Sequence, residues 1–127
     1  VEKQMSHFTR IRTKLTNIHT VQEALENLGY SVESGRVRGY GGQEAQADLV
    51  VSTNTGYDIG FKQEGNAVVM VADLWGLRIN REEFLNRVTQ QYAYLTVVEG
   101  AKSQGWQMAA EENQEDGSIR LVLQRWA

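Results

Sequence analysis

Residues 57–72 read Tyr57-Asp58-Ile59-Gly60-Phe61-Lys62-Gln63-Glu64-Gly65-Asn66-Ala67-Val68-Val69-Met70-Val71-Ala72. In the first half, Tyr57, Ile59 and Phe61 alternate with Asp58, Gly60 and Lys62, the period of two that marks a strand. Glu64-Gly65-Asn66 makes a turn. Ala67 to Ala72 is a continuous apolar run, expected of a central strand buried on both faces.

Working towards the N-terminus, Asn54-Thr55-Gly56 is a turn. Before it, Ala47, Leu49 and Val51 alternate against Asp48, Val50 and Ser52 in another strand. Gly39-Tyr40-Gly41-Gly42 is too glycine-rich to continue a strand, and Tyr30 to Val37 reads as a strand leading into it. Thr16-Asn17 offers an N-cap to a helix whose apolar face is Ile18, Val21, Leu25 and Leu28, with Gly29 ending it. From His7 to Leu15, Thr9, Ile11, Thr13 and Leu15 alternate with Phe8, Arg10, Arg12 and Lys14, which predicts a first strand.

Towards the C-terminus, Asp73 to Ile79 is a loop carrying Trp75 and Gly76. Asn80 caps a long helix with Glu82 and Glu83 in its first turn, where acidic groups suit the helix dipole. Phe84, Val88, Tyr92, Leu95 and Val98 form its apolar stripe, and it ends by Gly105. Trp106 to Ala110 and Ser118 to Trp126 read as a closing hairpin turned through Glu115-Asp116-Gly117. The expected fold is α+β: a mostly antiparallel sheet of about seven strands with two helices, in the order β-α-β-β-β-β-α-β-β.

The chain has 127 residues, which fits one domain with a real hydrophobic core. Val1 to Gln4 precede a methionine and read as an N-terminal extension or expression remnant, leaving a single domain over residues 5–127. Apolar content of 41% and charged content of 23% are those of a globular protein. A net charge of −3 gives no general pull towards nucleic acid, which is disfavoured as a partner. The chain contains no cysteine, so disulfides, thiolate metal sites and cysteine nucleophiles are excluded. That composition, without a signal peptide, fits a reducing compartment. No apolar run is long enough for a membrane span. Proline is also absent, and glycine, of which there are 12, must make the turns together with Asn and Asp.

Candidate chemistry is sparse. Arg36, Arg38 and Tyr40, with the glycines around Tyr40 and with Trp75, could cradle a phosphate or stack a base. The loop lacks the Gly-Lys-Ser/Thr ending of a P-loop, and a plain hairpin connection is the alternative. Arg10, Arg12 and Lys14 would line up on one sheet face and could meet an acidic partner, whereas Glu111, Glu112, Glu115 and Asp116 make the last hairpin acidic. A solvated sheet face and a polar turn are the alternatives. Arg87, Gln91 and Tyr94 on the long helix could centre a protein–protein contact, if Tyr94 is exposed.

His7 and His19 have no Glu or His at ligand spacing, so no metal site is expected. Asp48, Asp58 and Asp73 lie on or beside strands. Asp73 could be an acid in a pocket walled by Trp75, or could cap the loop backbone through an Asx-type hydrogen bond. No catalytic set and no cofactor is expected. Open strand edges could support a homo-oligomer, but nothing in the pattern selects one.

Five stretches together resemble one family: Met5-Ser6-His7-Phe8, Tyr57-Asp58-Ile59-Gly60-Phe61, Ala72-Asp73-Leu74-Trp75-Gly76, Gln90-Gln91-Tyr92-Ala93-Tyr94 and Gln124-Arg125-Trp126. They look like the hypothetical chloroplast reading frame thirty-five family of cyanobacteria and algal plastids, over Met5 to Ala127. The resemblance implies a cyanobacterial cytosol or plastid stroma and a supporting role in photosynthetic biogenesis or its regulation. It brings no catalytic or ligand residues. The function expected is a non-enzymatic binding or assembly module that docks a protein partner. A small-ligand or nucleotide-binding domain built on the basic glycine-rich loop is the alternative.

Overall fold

The computed structural model describes residues 8–125, so His7, Val1 to Gln4 and Trp126 lie outside the described residues. The elements run β1 (Thr9–Arg12), α1 (Ile18–Asn27), β2 (Val32–Arg38), β3 (Glu44–Ser52), β4 (Asp58–Glu64), β5 (Ala67–Ala72), α2 (Arg81–Ser103), β6 (Trp106–Asn113) and β7 (Ile119–Arg125). A single turn of 3-10 helix, Tyr40–Gly42, links β2 to β3. This is the expected α+β order. Among the described residues the seven strands divide into two sheets rather than one: five strands in the order β1-β5-β4-β3-β2, and a separate β6-β7 pair. All pairings are antiparallel.

β5 is an interior strand, between β1 and β4, and every residue in it is buried, as the apolar run requires. β1 is shorter than its alternation suggests, ending at Arg12. Its track continues nonetheless: Thr13 donates through its backbone N–H to the Val68 carbonyl at 3.1 Å, and Val68 N–H donates to Leu15 at 2.9 Å.

The helices cover one sheet face. Asn17 accepts from the backbone N–H of His19 and of Thr20, and Asn80 accepts from that of Glu83, so both helices start on side-chain caps. Val21 and Leu25 of α1 and Phe84 and Val88 of α2 close over Leu49, Val51, Ile59, Phe61, Val68 and Met70. Phe61 is wholly buried, a burial that contributes about 1.5–3 kcal/mol. Tyr92 ties the two helical segments together: its hydroxyl accepts from the backbone N–H of Thr16 at 3.2 Å and of Asn17 at 3.1 Å.

The opposite face holds a second cluster, Val37, Ala47 and Val50, with Phe8 packed against it. Simple alternation puts Ala47 with Leu49 and Val51, but the structure puts it with Val50. The cause is a register shift: Glu33 pairs with Val50 and Gly35 with Ala47, so β3 advances three residues while β2 advances two. An extra residue of this kind flips every side chain beyond it to the other face. The hairpin beyond the shift then curls over β4. A Cβ on Gly60 would lie 2.3 Å from a Val37 methyl and 2.8 Å from the Ala47 methyl, so only glycine permits this approach.

Candidate docking site

Curling the β2–β3 hairpin brings its tip against the loop that follows β5. Asp73, the first residue after β5, is completely buried. Its Oδ2 accepts from the backbone N–H of Tyr40 at 2.8 Å, and its Oδ1 accepts from that of Trp75 at 3.1 Å. The second bond is an Asx turn, the structural alternative weighed for this residue. One carboxylate therefore positions two loops, each through the residue that carries an aromatic ring. The rings meet edge to face, with centroids 5.0 Å apart and planes at 89°. Both face solvent, Tyr40 with 45% and Trp75 with 70% of its surface exposed.

Each loop has a further support. Behind Tyr40, Arg38 grips Asp58 of β4. Asp58 Oδ2 accepts from the Arg38 backbone N–H at 2.8 Å and from Nε at 2.9 Å, and Oδ1 accepts from Nη2 at 2.8 Å. Burial pushes the Asp58 carboxyl up, but the Arg38 hydrogen bonds and charge, with help from Ser52, bring it below the usual carboxylate range. The same contacts raise Arg38 above the usual guanidinium value. Behind Trp75, the Tyr57 ring lies against Gly76, where an added Cβ would sit 2.1 Å from Tyr57 Cζ.

Of the residues expected to bind a ligand, Tyr40 and Trp75 are brought together, and Arg38 is nearby but ion-paired. Arg36 lies along β2 and reaches Glu44 at 3.5 Å. Arg78, which patterning did not single out, is exposed on the Trp75 loop. With Asn54, Thr55, Tyr57, Trp75 and Gly76 it lines an open cleft of about 570 Å³.

The other candidates lie elsewhere. Arg10 and Arg12 of β1 stand opposite Val71 and Val69, on the face away from the helices, and Lys14 follows beyond the strand. Arg10 pairs with Glu64, and this bond, reinforced by the charges of Arg10, Lys62 and Arg12, holds Glu64 below the usual carboxylate range. On α2, Arg87 is exposed, but Gln91 accepts from Asn27 of α1 at 3.5 Å. Tyr94 is half-buried and hydrogen-bonded to Glu111 of β6, which raises its phenol above the usual value. Gln90 donates to the Gly117 carbonyl. These two bonds dock the last hairpin on α2, so the condition attached to Tyr94, that it be exposed, is not met. Glu112 pairs with Arg120 at 3.5 Å, and Asp116 accepts from the Ser118 backbone and hydroxyl.

Among the described residues, no group of three or more His, Asp or Glu side chains could hold a metal ion. His19 sits exposed in the first turn of α1. Asp48 accepts from the Gln63 backbone N–H at 2.8 Å. Among the described residues, no helix is long and apolar enough to cross a membrane.

The arrangement defines an α+β domain that displays a braced aromatic pair. A family described as protein of unknown function (DUF1257) matches residues 24–122, and the chain belongs to that family. It is 38% identical over 126 residues to the uncharacterized protein ycf35 of Guillardia theta, covering 96% of this chain and 98% of that one. With the same coverage it is 35% identical to the protein of that name from Cyanophora paradoxa and 33% to that from Pyropia yezoensis. No solved structure matches the chain.

Proposed function

We propose that this protein is a non-enzymatic docking module that receives an acidic segment of a protein partner on Tyr40 and Trp75. The observation that carries the reading is the buried Asp73 carboxylate, which holds the backbone of both exposed aromatic residues. Ordering a contact residue before binding removes part of the entropy cost of association. Tryptophan, tyrosine and arginine are also the residues that most often dominate interface energies. Arg78, exposed on the Trp75 loop and lining the cleft beside that ring, supplies positive charge there, which favours an acidic segment. The resemblance to a family of cyanobacteria and algal plastids supports a role in photosynthetic biogenesis or its regulation, in the cytosol or the stroma.

The nucleotide reading of the glycine loop has weaker support. Arg38 is occupied with Asp58 and Arg36 approaches Glu44, which leaves less charge for a phosphate.

Affinity capture from a cyanobacterial lysate at physiological salt, with the intact chain and its Trp75→Ala variant side by side, tests the proposal. A partner with an acidic segment should be retained by the first and lost from the second. Identical retained sets, or none, would refute it.

A further inference from the structure

Arg78 also borders a second hollow, which Trp75 does not line. Tyr30, Val51, Ile59, Ile79 and Phe84 give this cleft of about 360 Å³ the apolar part of its lining, and Arg78 and residues 52–55 the polar part. Asn54, Thr55 and Arg78 line both this cleft and the larger one beside Trp75. The floor is fixed by the main core: Tyr30 and Phe84 meet edge to face at 5.6 Å, and Phe84 leans on Phe61 at 6.3 Å.

The rim is equally set. Thr53 Oγ1 lies 2.7 Å from Thr55 Oγ1 and donates to the Tyr57 carbonyl at 2.6 Å, while it accepts from the Thr55 N–H at 3.2 Å. A turn knitted by its own hydroxyls keeps its shape without a ligand. Among the described residues, no ion pair engages Arg78.

A hollow of this size lined by five apolar side chains, a few polar ones and one guanidinium has the composition of a small-molecule site. Such sites span about 300–1,000 Å³ and combine apolar walls with a few placed polar groups. Arginine at the edge matches a planar carboxylate or sulfonate, which it can hold by two parallel hydrogen bonds.

We infer that the cleft between Tyr30, Ile59 and Phe84 binds a small amphiphilic monoanion, its apolar body inside and its acidic group on Arg78. This goes beyond the docking of a protein segment: the aromatic pair of that reading does not line the smaller cleft. Because Arg78 lines both clefts, occupancy would also change the charge presented beside Trp75.

Two fluorescent probes test the inference on the intact chain. One is 1-anilinonaphthalene-8-sulfonate, the other its uncharged analogue N-phenyl-1-naphthylamine. The sulfonate should bind saturably, at least tenfold tighter than the uncharged probe, with amide shifts clustered at residues 51–55 and at Ile79. Arg78→Ala should weaken the sulfonate at least tenfold at unchanged melting temperature, and Arg78→Lys should recover part of the loss. Trp75→Ala should leave the sulfonate affinity within twofold, which separates this site from the docking surface. Absence of saturable binding up to millimolar probe, equal affinity for both probes, indifference to Arg78→Ala, or shifts centred elsewhere would each overturn it.

Discussion

The Asp73 carboxylate accepts the backbone N–H of Tyr40 at 2.8 Å across a sequence separation of 33 residues. The bond joins the tip of the β2–β3 hairpin to the loop after β5. Its other oxygen holds the Trp75 N–H, so the group is the common fastening of both aromatic residues.

Asp73→Ala should therefore lower stability by about 2–6 kcal/mol, since it leaves two donors without a partner at about 1–3 kcal/mol each. Asp73→Asn keeps one acceptor oxygen and should lose less. Urea denaturation measures both. An Asp73→Ala variant as stable as the parent would contradict the fastening of the two loops by this carboxylate.

Asp58 makes an acid-side prediction. Its folded carboxyl is held below the unfolded value of about 3.9, so the stability it contributes is fully present above that pH. That contribution is lost as pH falls through the lower, folded value. Asp58→Asn should be less stable than the parent at neutral pH, and the gap should narrow steadily below about pH 4. Glu64 and Asp116 are also held low, so some acid sensitivity should remain in the variant. A gap that is constant from pH 7 to pH 2 would contradict the pairing.

Gly60→Ala should destabilise by about 1–3 kcal/mol or more through overpacking against Val37 and Ala47. Combining it with Val37→Ala should recover part of the loss, which a double-mutant cycle would read as favourable coupling. Additive effects would mean that the hairpin does not curl over β4.

The last hairpin should be the least protected part of the described chain. Hydrogen exchange in β6 and β7 is expected to be faster than in β4 and β5, and Tyr94→Phe should accelerate it further without touching the main sheet. The Tyr94 phenol is raised above its usual value of 10.0, so its contribution holds below that pH and is lost as pH rises through the folded value. Exchange of β6 that is insensitive to Tyr94→Phe would show that the hairpin docks by other contacts.

Most of the element order was legible because the local signals agree: Asn17 and Asn80 as caps, period two in β3 and β4, and an apolar run in β5. The division into two sheets was not. Strand patterning reports which residues face a core but not which core, and β6–β7 packs on α2 rather than beside another strand. The bulge that moves Ala47 to the other face leaves no mark in composition. Tyr40 and Trp75 were both singled out as candidates, but their meeting depends on Asp73 reaching a hairpin tip distant in sequence. Arg38 looked available for a phosphate because Asp58, 20 residues away, could not be placed against it from pattern alone.

The most direct measurement is calorimetric titration of the captured partner against the intact chain and against a Tyr40→Ala, Trp75→Ala double variant of equal stability. If the aromatic pair is the docking surface, the double variant should bind at least thirtyfold more weakly, the loss of about 2 kcal/mol or more expected for residues that dominate an interface. Affinities within twofold of each other would contradict the account.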